Sequence, residues 1–551
     1  MKVAAWAATF PTKRCRPMLS RRDFMAVATG VAAVPLFPAA AATPQVLRIA
    51  MTAADVPTPT GIPNNGFEGY RFMGYTAYDA LVNWDLLHNQ DKPADITPGL
   101  LTEWHNDPEK IERLVCTVRQ GVKFHDGSDF DADAVIWNLH RIYDDKSPQY
   151  DAPAAPIVRA AVYMIDTFEK ADDKTVVITT KYPFTFLPNL LTRILMASPT
   201  QWEKLGKSWA AFAKSPSGTG PFKITKVTMG QSVEMARNEN YWNKDRVPKL
   251  DGLVLIPMPE PTTRVAALRS GQVDWIEVPA PDAIPSLKAA GFNISLWPYP
   301  HTYPYVLDVS ENSPFHDVRV RRAMNYAIDR ENLCKLINDT GIPADGLFTK
   351  GTPFYGAPTE HYTYDPDKAK SLLAQAGYGP DKPMSAKIMI STAGSGQMVP
   401  IPMNEYLQTN FKAVGVDITF DVVEWDTMLL GIRSTPTAPQ SHGDQGINIS
   451  LSWVDPAAMF RYYDSKSFSP HGFNWGQWSD PRVDKLLEGA QTTTDKAEQT
   501  KMLADAHSIV VDAAPWLFIV HDLNPRALSA SVHGFHPAQS WFQDLTQITM
   551  A

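Results

Sequence analysis

Cysteine is scarce in this chain, and long apolar runs are absent after the N-terminal segment. Only three cysteines occur among 551 residues, which excludes a small fold held together by disulfides. No later stretch approaches the roughly 18 consecutive apolar residues that a membrane helix needs. Basic residues are in the minority, with 51 Lys and Arg against 59 Asp and Glu. This balance argues against nucleic acid or an anionic membrane surface as a partner.

Signature motifs of common catalytic and cofactor sites are also missing. The sequence has no Gly-x-Ser-x-Gly elbow, no His-Glu-x-x-His pair and no Cys-x-x-Cys,. Ser217–Phe222 contains two glycines but lacks the lysine of a phosphate loop, so we interpret it as a tight turn before a strand. His125 and Asp126 resemble a base and its orienting acid, but Asp126 and Gly127 are typical of a turn. We therefore predict that the protein is not an enzyme and has no resident cofactor or metal.

Two adjacent arginines, Arg21 and Arg22, precede a mild apolar run and a stretch of small residues. This order is typical of a twin-arginine (Tat) signal peptide, which sends a folded protein across the bacterial inner membrane. We predict that residues 1–42 are the signal, recognised by the Tat export machinery and then removed. The mature protein is therefore expected in the periplasm. Both Met1 and Met18 stay open as the true start.

The composition of the rest is typical of a large globular protein. Hydrophobic residues make up 44% of the chain and aromatic residues 11%, and the length suits about two to four domain-sized units. A net charge of −8 weakly favours cationic or neutral ligands. Cys116 and Cys334 are expected as free thiols, because a single distant pair is weak evidence for a disulfide.

Short apolar runs alternate with amphipathic stretches along the chain. The apolar runs predict strands at 46–51, 114–118, 176–179, 253–256, 387–390, 416–420 and 447–451,. Helical spacing and end signals predict helices over 75–84, 131–143, 262–271, 319–328, 330–337, 365–377 and 400–414,. This alternation indicates an α/β protein with parallel or mixed sheets.

Seven motifs occur in an order that marks a family. The most specific is Val118–Gly127. The others are Pro98–Trp104, Gly218–Phe222, Arg237–Trp242, Ala267–Asp274, Asp317–Arg330 and Tyr364–Tyr378. Together they span nearly all of the chain after the signal. The chain thus resembles the bacterial extracellular solute-binding proteins of family 5, the large binding proteins that feed peptide and nickel ABC importers.

This resemblance implies a two-lobed α/β periplasmic binding protein of the Venus-flytrap, class II type. An extra domain is expected in the first lobe, at residues 86–218. The first lobe would comprise 43–85, 219–298 and 515–551, and the second lobe 299–514. The family mechanism implies a monomer that closes on its ligand by hinge bending and then docks on an ABC permease and ATPase complex in the inner membrane.

The resemblance also implies where the second lobe contacts the ligand. In the family, a tryptophan and an aspartate that follow a strand of this lobe often touch the solute. They correspond here to Trp453, as a stacking wall, and Asp455, as a partner for an ammonium group,. A helix cap before Pro456 is the alternative role for Asp455.

On the first lobe, the loop around residue 70 corresponds roughly to a ligand-facing region. Phe67 and Tyr70 are predicted to stack on the solute, and Arg71 to hold a carboxylate or phosphate,. A packed aromatic pair and a surface arginine are the alternatives. Tyr305 is expected to line the cleft. Trp425 is expected to be a core residue, with a place on the cleft wall as the alternative.

These features predict the periplasmic substrate-binding component of an ABC importer, with a peptide or peptide-like ligand. A non-peptide solute is the first alternative: an opine, a sugar, a metal chelate or haem. A periplasmic enzyme or cofactor carrier is the second alternative, because twin-arginine export often serves proteins that acquire cofactors before export. A sensory receptor that passes its ligand to a membrane kinase or chemoreceptor is the third.

Overall fold

The computed structural model describes residues 44–551 apart from Asn65, Asn89 and Ala160, and describes Gly66 and Phe67 by their backbone alone. The predicted signal, residues 1–42, lies outside the described residues. No helix in the described part of the chain is both long enough and apolar enough to cross a membrane.

The strand Val46–Met51 forms the centre of a seven-stranded sheet. One face packs Leu47, Ile49 and Met51 into one apolar cluster. The other face packs Ala50 into a second cluster and also carries Arg48, which pairs with Asp274 at 2.7 Å. The strand runs parallel to both of its neighbours. The strand order in this first sheet is Asn293–Ser295, Arg526–Leu528, Trp275–Glu277, Val46–Met51, Gly252–Pro257, Ser232–Arg237 and Phe222–Thr228.

A second mixed sheet is built around His301–Leu307, all of whose residues are buried. Its strand order is Gly341–Pro343, Trp516–Asp522, His301–Leu307, Gly446–Asn448, Met384–Ser391 and Val416–Val423, with Leu451–Ser452 paired to His301–Leu307. The run 447–451, predicted as one strand, is interrupted at Ile449 and Ser450. There the Ser450 backbone N–H donates to Gln397 Oε1 at 2.7 Å instead of to a neighbouring strand.

A third sheet is antiparallel and has the strand order Leu101–Asn106, Arg113–Val118, Thr175–Thr180 and Ile165–Asp172. The helix Ala132–Tyr143 contacts two of its strands. Asp131 caps this helix by accepting a hydrogen bond from the Ala134 backbone N–H at 2.9 Å,. The strands and the helix predicted in this region are confirmed.

The segment 75–84 differs from the prediction of a single helix, which is wrong. Its helix covers only Tyr75–Ala77, and Val82–Trp84 is a strand that pairs with Ile96–Pro98. The apolar spacing fitted a helix, but the ladder with a neighbouring strand determines the structure. A second small hairpin joins Val532–His533 to Thr549–Met550.

The longer helices follow their sequence signals closely. Asp365 caps one of them by accepting a hydrogen bond from the Lys368 backbone N–H at 2.9 Å, and Gly377 follows its end with a φ of +86°,. The helices of eight residues or more are Ala132–Tyr143, Pro261–Arg269, Val318–Ala327, Pro366–Gln375, Pro400–Ala413, Trp425–Ile432, Pro481–Thr492 and Lys496–Ala513.

Shorter helices connect these elements. The short α-helices are Gly66–Gly69, Tyr75–Ala77, Ala155–Arg159, Leu187–Leu190, Pro199–Lys204, Trp209–Phe212, Ile284–Ala289, Arg330–Leu336 and Ala458–Tyr463. Tyr70–Gly74 is a π-helical turn. The 3₁₀ turns are Leu191–Arg193, Lys244–Arg246, Pro281–Ala283, Pro439–Ser441 and Ser465–Ser467. Cys116 and Cys334 are buried free cysteines.

The strands Trp516–Asp522 and Arg526–Leu528 belong to different sheets, which is relevant to the expected domain boundaries. Those boundaries stay a prediction. The strand Trp516–Asp522 hydrogen-bonds within the second sheet, although the expected boundaries assign it to the first lobe. Arg526–Leu528 belongs to the first sheet. We therefore favour a change of lobe between Asp522 and Arg526, rather than at residue 515.

The motif Asp317–Arg330 stabilises the region around the second sheet. Arg330 is buried, and its guanidinium donates to main-chain carbonyl oxygens that include those of Ala344 at 2.7 Å and Phe518 at 2.8 Å. These bonds compensate for burying the charge. The motif therefore contributes to the fold rather than to solute contact.

Candidate functional site

A cavity of about 250 Å³ lies where distant parts of the chain meet. Tyr70 and Arg193 contribute from the first half of the chain and Trp541 from the end. The break in the second sheet contributes Ile449–Ser452, and the helices Trp425–Ile432 and Ala458–Tyr463 complete the wall. The full lining is Asn64, Tyr70, Ile157, Ala161, Arg193, His301, Ser395, Trp425, Asp426, Leu429, Ile432, Arg433, Ile449, Ser450, Leu451, Ser452, Arg461, Tyr462, Phe473 and Trp541.

Tyr70 is the predicted first-lobe residue that the structure places on the cavity wall. It begins the π-helical turn, an irregularity that is frequent at functional sites. Burial raises the pKa of Tyr70 to about 12, so its hydroxyl stays protonated and can donate a hydrogen bond. Phe67 lies in the helix Gly66–Gly69, and the structure describes only its backbone, so its predicted stacking on the solute stays a prediction.

Arg71 lies behind the cavity wall rather than on it. Its guanidinium is buried and forms an ion pair with Glu277 at 2.8 Å, and Arg526 contacts the same carboxylate at 3.1 Å. The Arg71 guanidinium carbon also lies 5.0 Å from the centre of a Trp541 ring. In this conformation Arg71 supports Trp541, and its charge is compensated by Glu277.

Trp453 and Tyr305 are also buried away from the cavity lining. The Trp453 ring packs edge-to-face against Phe348 at 5.2 Å between centroids. The buried Tyr305 hydroxyl donates to the side-chain oxygen of Asn404. Both side chains therefore pack within the protein interior, and their contact with a solute stays a prediction.

Asp455 lies in a pocket of about 20 Å³ that shares Arg193 and Arg461 with the main cavity. Its Oδ2 is 4.0 Å from Arg193 Nη2, and its Oδ1 has no hydrogen-bond donor among the described residues. Burial raises the pKa of Asp455, and the two arginines oppose that rise. The following helix begins at Ala458 with Ala457 as its N-cap and no side-chain cap bond, but a hydrogen bond from the Ala457 backbone N–H also opposes the rise in the pKa of Asp455. The alternative role as helix cap therefore stays open.

Three arginines on the cavity wall were missed in the sequence, namely Arg193, Arg433 and Arg461. Arg193 and Arg461 each interrupt an apolar run, and this was the available signal, because a charge in such a run is costly unless it has a role. Trp425 packs against the core, as expected, but it also lines the cavity.

Several polar atoms on the cavity wall are buried without a hydrogen-bond partner in the part of the chain that the structure describes. They are Ser395 Oγ, Ser452 Oγ, Trp425 Nε1 and Arg461 Nε. Burial lowers the pKa of His301 to about 3, so its ring is neutral at physiological pH. Because buried polar groups are normally paired, this wall is suited to hydrogen-bond a small polar solute.

The possible base and acid at His125 and Asp126 do not face each other. His125 Nε2 lies 2.9 Å from the Gly220 carbonyl oxygen, and burial lowers the pKa of His125 to about 4. Asp126 accepts a hydrogen bond from Ser198 Oγ at 2.5 Å. The pair therefore fixes a turn, as the sequence indicated.

One group of side chains in the described residues resembles a metal site. Oxygen and nitrogen atoms of Asp421, His442 and Asp444 lie within 4.8 Å of one another. The Lys387 ammonium already lies 3.0 Å from Asp444 Oδ1 and supplies positive charge to the group. None of these residues lines the cavity.

The sequence model of the bacterial extracellular solute-binding proteins, family 5 Middle, matches residues 95–480. The chain belongs to this family. The family and the two-lobed α/β fold that the motifs implied are thereby confirmed. Membership also supports a location outside the cytoplasm.

Known proteins extend the match over most of the chain. The chain is 26% identical over 534 residues to di/tripeptide-binding protein 2 of Pseudomonas aeruginosa, covering 92% of this chain and 96% of that protein. It is 28% identical to haem-binding protein A of Haemophilus influenzae, with 84% and 85% covered. The periplasmic binding protein DppA of Helicobacter pylori, solved with the peptide STSA, superposes with a TM-score of 0.77 at 21% identity, covering 92% of this chain and 98% of that one.

Proposed function

We propose that this chain is the periplasmic substrate-binding component of an ABC importer and captures a peptide or peptide-like solute. The observation that carries this proposal is the cavity, whose wall combines aromatic rings with buried polar atoms. Its volume of about 250 Å³ is slightly below the usual range of about 300–1,000 Å³ for small-molecule sites. The size favours a dipeptide or tripeptide, and a relative is named for such ligands.

Solute capture requires no covalent chemistry. The lobes would bend about their connections, enclose the peptide and present the closed form to a membrane permease. Tyr70 is the predicted contact that lines the cavity, and Asp455 lies in the adjoining pocket. We further propose that the protein acts as a monomer and has no enzymatic activity.

Small molecules released from the protein provide the direct test. We expect mass spectrometry of the supernatant, after denaturing protein purified from its native periplasm, to detect dipeptides or tripeptides. Protein that was dialysed from denaturant and refolded before the same procedure is the control for carry-over. A single opine, sugar or metal chelate would keep the binding role and contradict the peptide ligand, and haem would be evident from its Soret absorbance.

Residues 1–42 are proposed to direct export through the twin-arginine route. Replacing Arg21 and Arg22 together by lysine should leave the protein in the cytoplasmic fraction, because the Tat machinery recognises the arginine pair. Undiminished export of the double variant, measured by immunoblot of periplasmic and cytoplasmic fractions, would contradict this route.

A further inference from the structure

The cavity wall carries more positive than negative charge. Arg193, Arg433 and Arg461 line it, whereas Asp426 is the acidic residue among its lining side chains. Asp455 adds a second carboxylate in the adjoining pocket. Whether the wall attracts cations or anions depends on which of these charges are already compensated within the protein.

Two of the arginines have acidic neighbours. The Arg193 guanidinium lies 4.0 Å from Asp455, so the carboxylate expected to bind a ligand ammonium already faces a cation. Arg433 is solvent-accessible; partial burial still lowers its pKa, and the charge of Asp426 opposes this. These neighbours reduce the capacity of both acids to attract a positively charged group.

Arg461 is an arginine of the cavity wall with a buried guanidinium nitrogen that lacks a partner in the described part of the chain. Its guanidinium carbon lies 4.3 Å from the centre of the Phe473 ring, and its Nε is buried with no acceptor among the described residues. Burial lowers the pKa of Arg461, and the charges of Arg193 and Arg433 lower it further, while Tyr462 and Asp455 oppose this. A bound anion would supply the negative charge and the acceptor that this side chain lacks.

We propose that the cavity selects solutes by an anionic group and that Arg461 is the residue that binds it. The ligand class is a small carboxylate-bearing solute, which for a peptide means recognition of its C-terminal carboxylate, with its ammonium group dispensable. This inference rests on the proposed function of solute capture. It reverses the role expected for Asp455, which becomes the counter-ion of Arg193.

Four ligands distinguish recognition of an anionic group from recognition of an ammonium group. Their affinities are measured by isothermal titration calorimetry on the unliganded wild-type protein. The ligands are the dipeptide Ala-Leu, its N-acetyl derivative, its C-terminal amide and, as a non-peptide anion, gluconate. We expect Ala-Leu and the N-acetyl derivative to bind with similar affinity, and the amide to bind about 10- to 100-fold more weakly, as for the loss of one charge-assisted hydrogen-bond pair.

The outcomes distinguish the inference from the proposed function. An amide that binds as tightly as Ala-Leu, or an N-acetyl derivative that binds far more weakly, overturns anion selection and leaves peptide capture standing. Binding of gluconate alone supports anion selection and contradicts a peptide ligand. Binding of none of the four contradicts both.

Variants of Arg461 locate the contact. Arg461→Gln should weaken Ala-Leu binding about 10- to 100-fold and abolish the preference for Ala-Leu over its amide. The matched control is Arg482→Gln, an exposed arginine that pairs with Asp480 and lies outside the cavity lining. Arg461→Lys keeps the charge and should retain part of the preference. Unchanged discrimination in a folded Arg461→Gln variant, with folding checked by circular dichroism, overturns the assignment.

Discussion

Single buried charges in this protein depend on partners that are remote in sequence. Asp79 is an example, because its carboxylate accepts hydrogen bonds from Tyr241 at 2.7 Å, Trp242 at 2.8 Å and Thr219 at 3.0 Å. Two of these donors belong to the motif Arg237–Trp242, and Thr219 lies between the paired glycines. Burial raises the pKa of Asp79, and these donors together with Arg246 oppose the rise.

Replacing Asp79 by asparagine should therefore destabilise the protein. The amide has one acceptor oxygen where the carboxylate has two, and it loses the negative charge that interacts with Arg246, so we expect a loss of about 3 kcal/mol in the free energy of unfolding. Urea unfolding followed by tryptophan fluorescence measures this. Asp166→Asn, on an exposed strand position, is the matched control. Equal midpoints for the two variants would contradict the role assigned to Asp79.

The same dependence explains which site residues the sequence could predict. Tyr70 was identified from a loop that corresponds to a ligand-facing region, and it lines the cavity. Arg71, its neighbour, was predicted to hold a ligand, but it pairs with Glu277 and approaches Asn524, which is 453 positions away in the sequence. Sequence patterns identify a charged side chain, whereas its partner is determined by the tertiary fold.

Among the elements, helices with clear capping signals were predicted best. Asp365 and Gly377 mark both ends of one helix, and local hydrogen bonds at such positions need no distant partner. The segment 75–84 and the run 447–451 were predicted less well. In both cases the deciding interaction comes from elsewhere, a neighbouring strand in the first and Gln397 in the second.

The turn that contains Gly218 and Gly220 packs directly on another element. A methyl group added at Gly220 would overlap the Ala77 backbone, so the glycine is required by close approach rather than by phosphate binding. This explains a glycine pair that lacks the other residues of a nucleotide loop.

Gly220→Ala should consequently lower the free energy of unfolding by about 1–3 kcal/mol, as for other overpacked sites. Gly379→Ala is the matched control, because a methyl group there would contact nothing within 4 Å. Both are measured by thermal unfolding monitored with circular dichroism. A Gly220→Ala variant as stable as the control would contradict the requirement for close approach between Gly220 and the Ala77 backbone.

At the scale of the whole molecule, two stretches of chain connect the first and second sheets side by side. Ser295 pairs with Arg526 in the first sheet, and Tyr303 pairs with Val520 in the second. Between them the Trp297 backbone N–H donates to the Leu523 carbonyl oxygen at 2.8 Å, and the Tyr299 hydroxyl donates to Asp522 at 2.7 Å. The two connections therefore form one antiparallel ribbon.

A ribbon of two strands bends readily across its plane and resists shear within it. If the lobes closed about this connection, they would move in one direction only. The residues of the cavity wall would then return to the same positions at each closure. His301 lies on this ribbon and lines the cavity, so bending of the ribbon would move part of the cavity wall.

The ribbon also makes the second lobe resemble a domain inserted into the first lobe. Its chain enters and leaves through neighbouring residues, and Ser295 and Arg526 are hydrogen-bonded partners in the first sheet. A short turn between those two residues would complete the first sheet without the 230 positions that separate them, because closely spaced ends allow a domain to be inserted or removed. The order of the chain is thus compatible with an ancestry in which one lobe was added to the other.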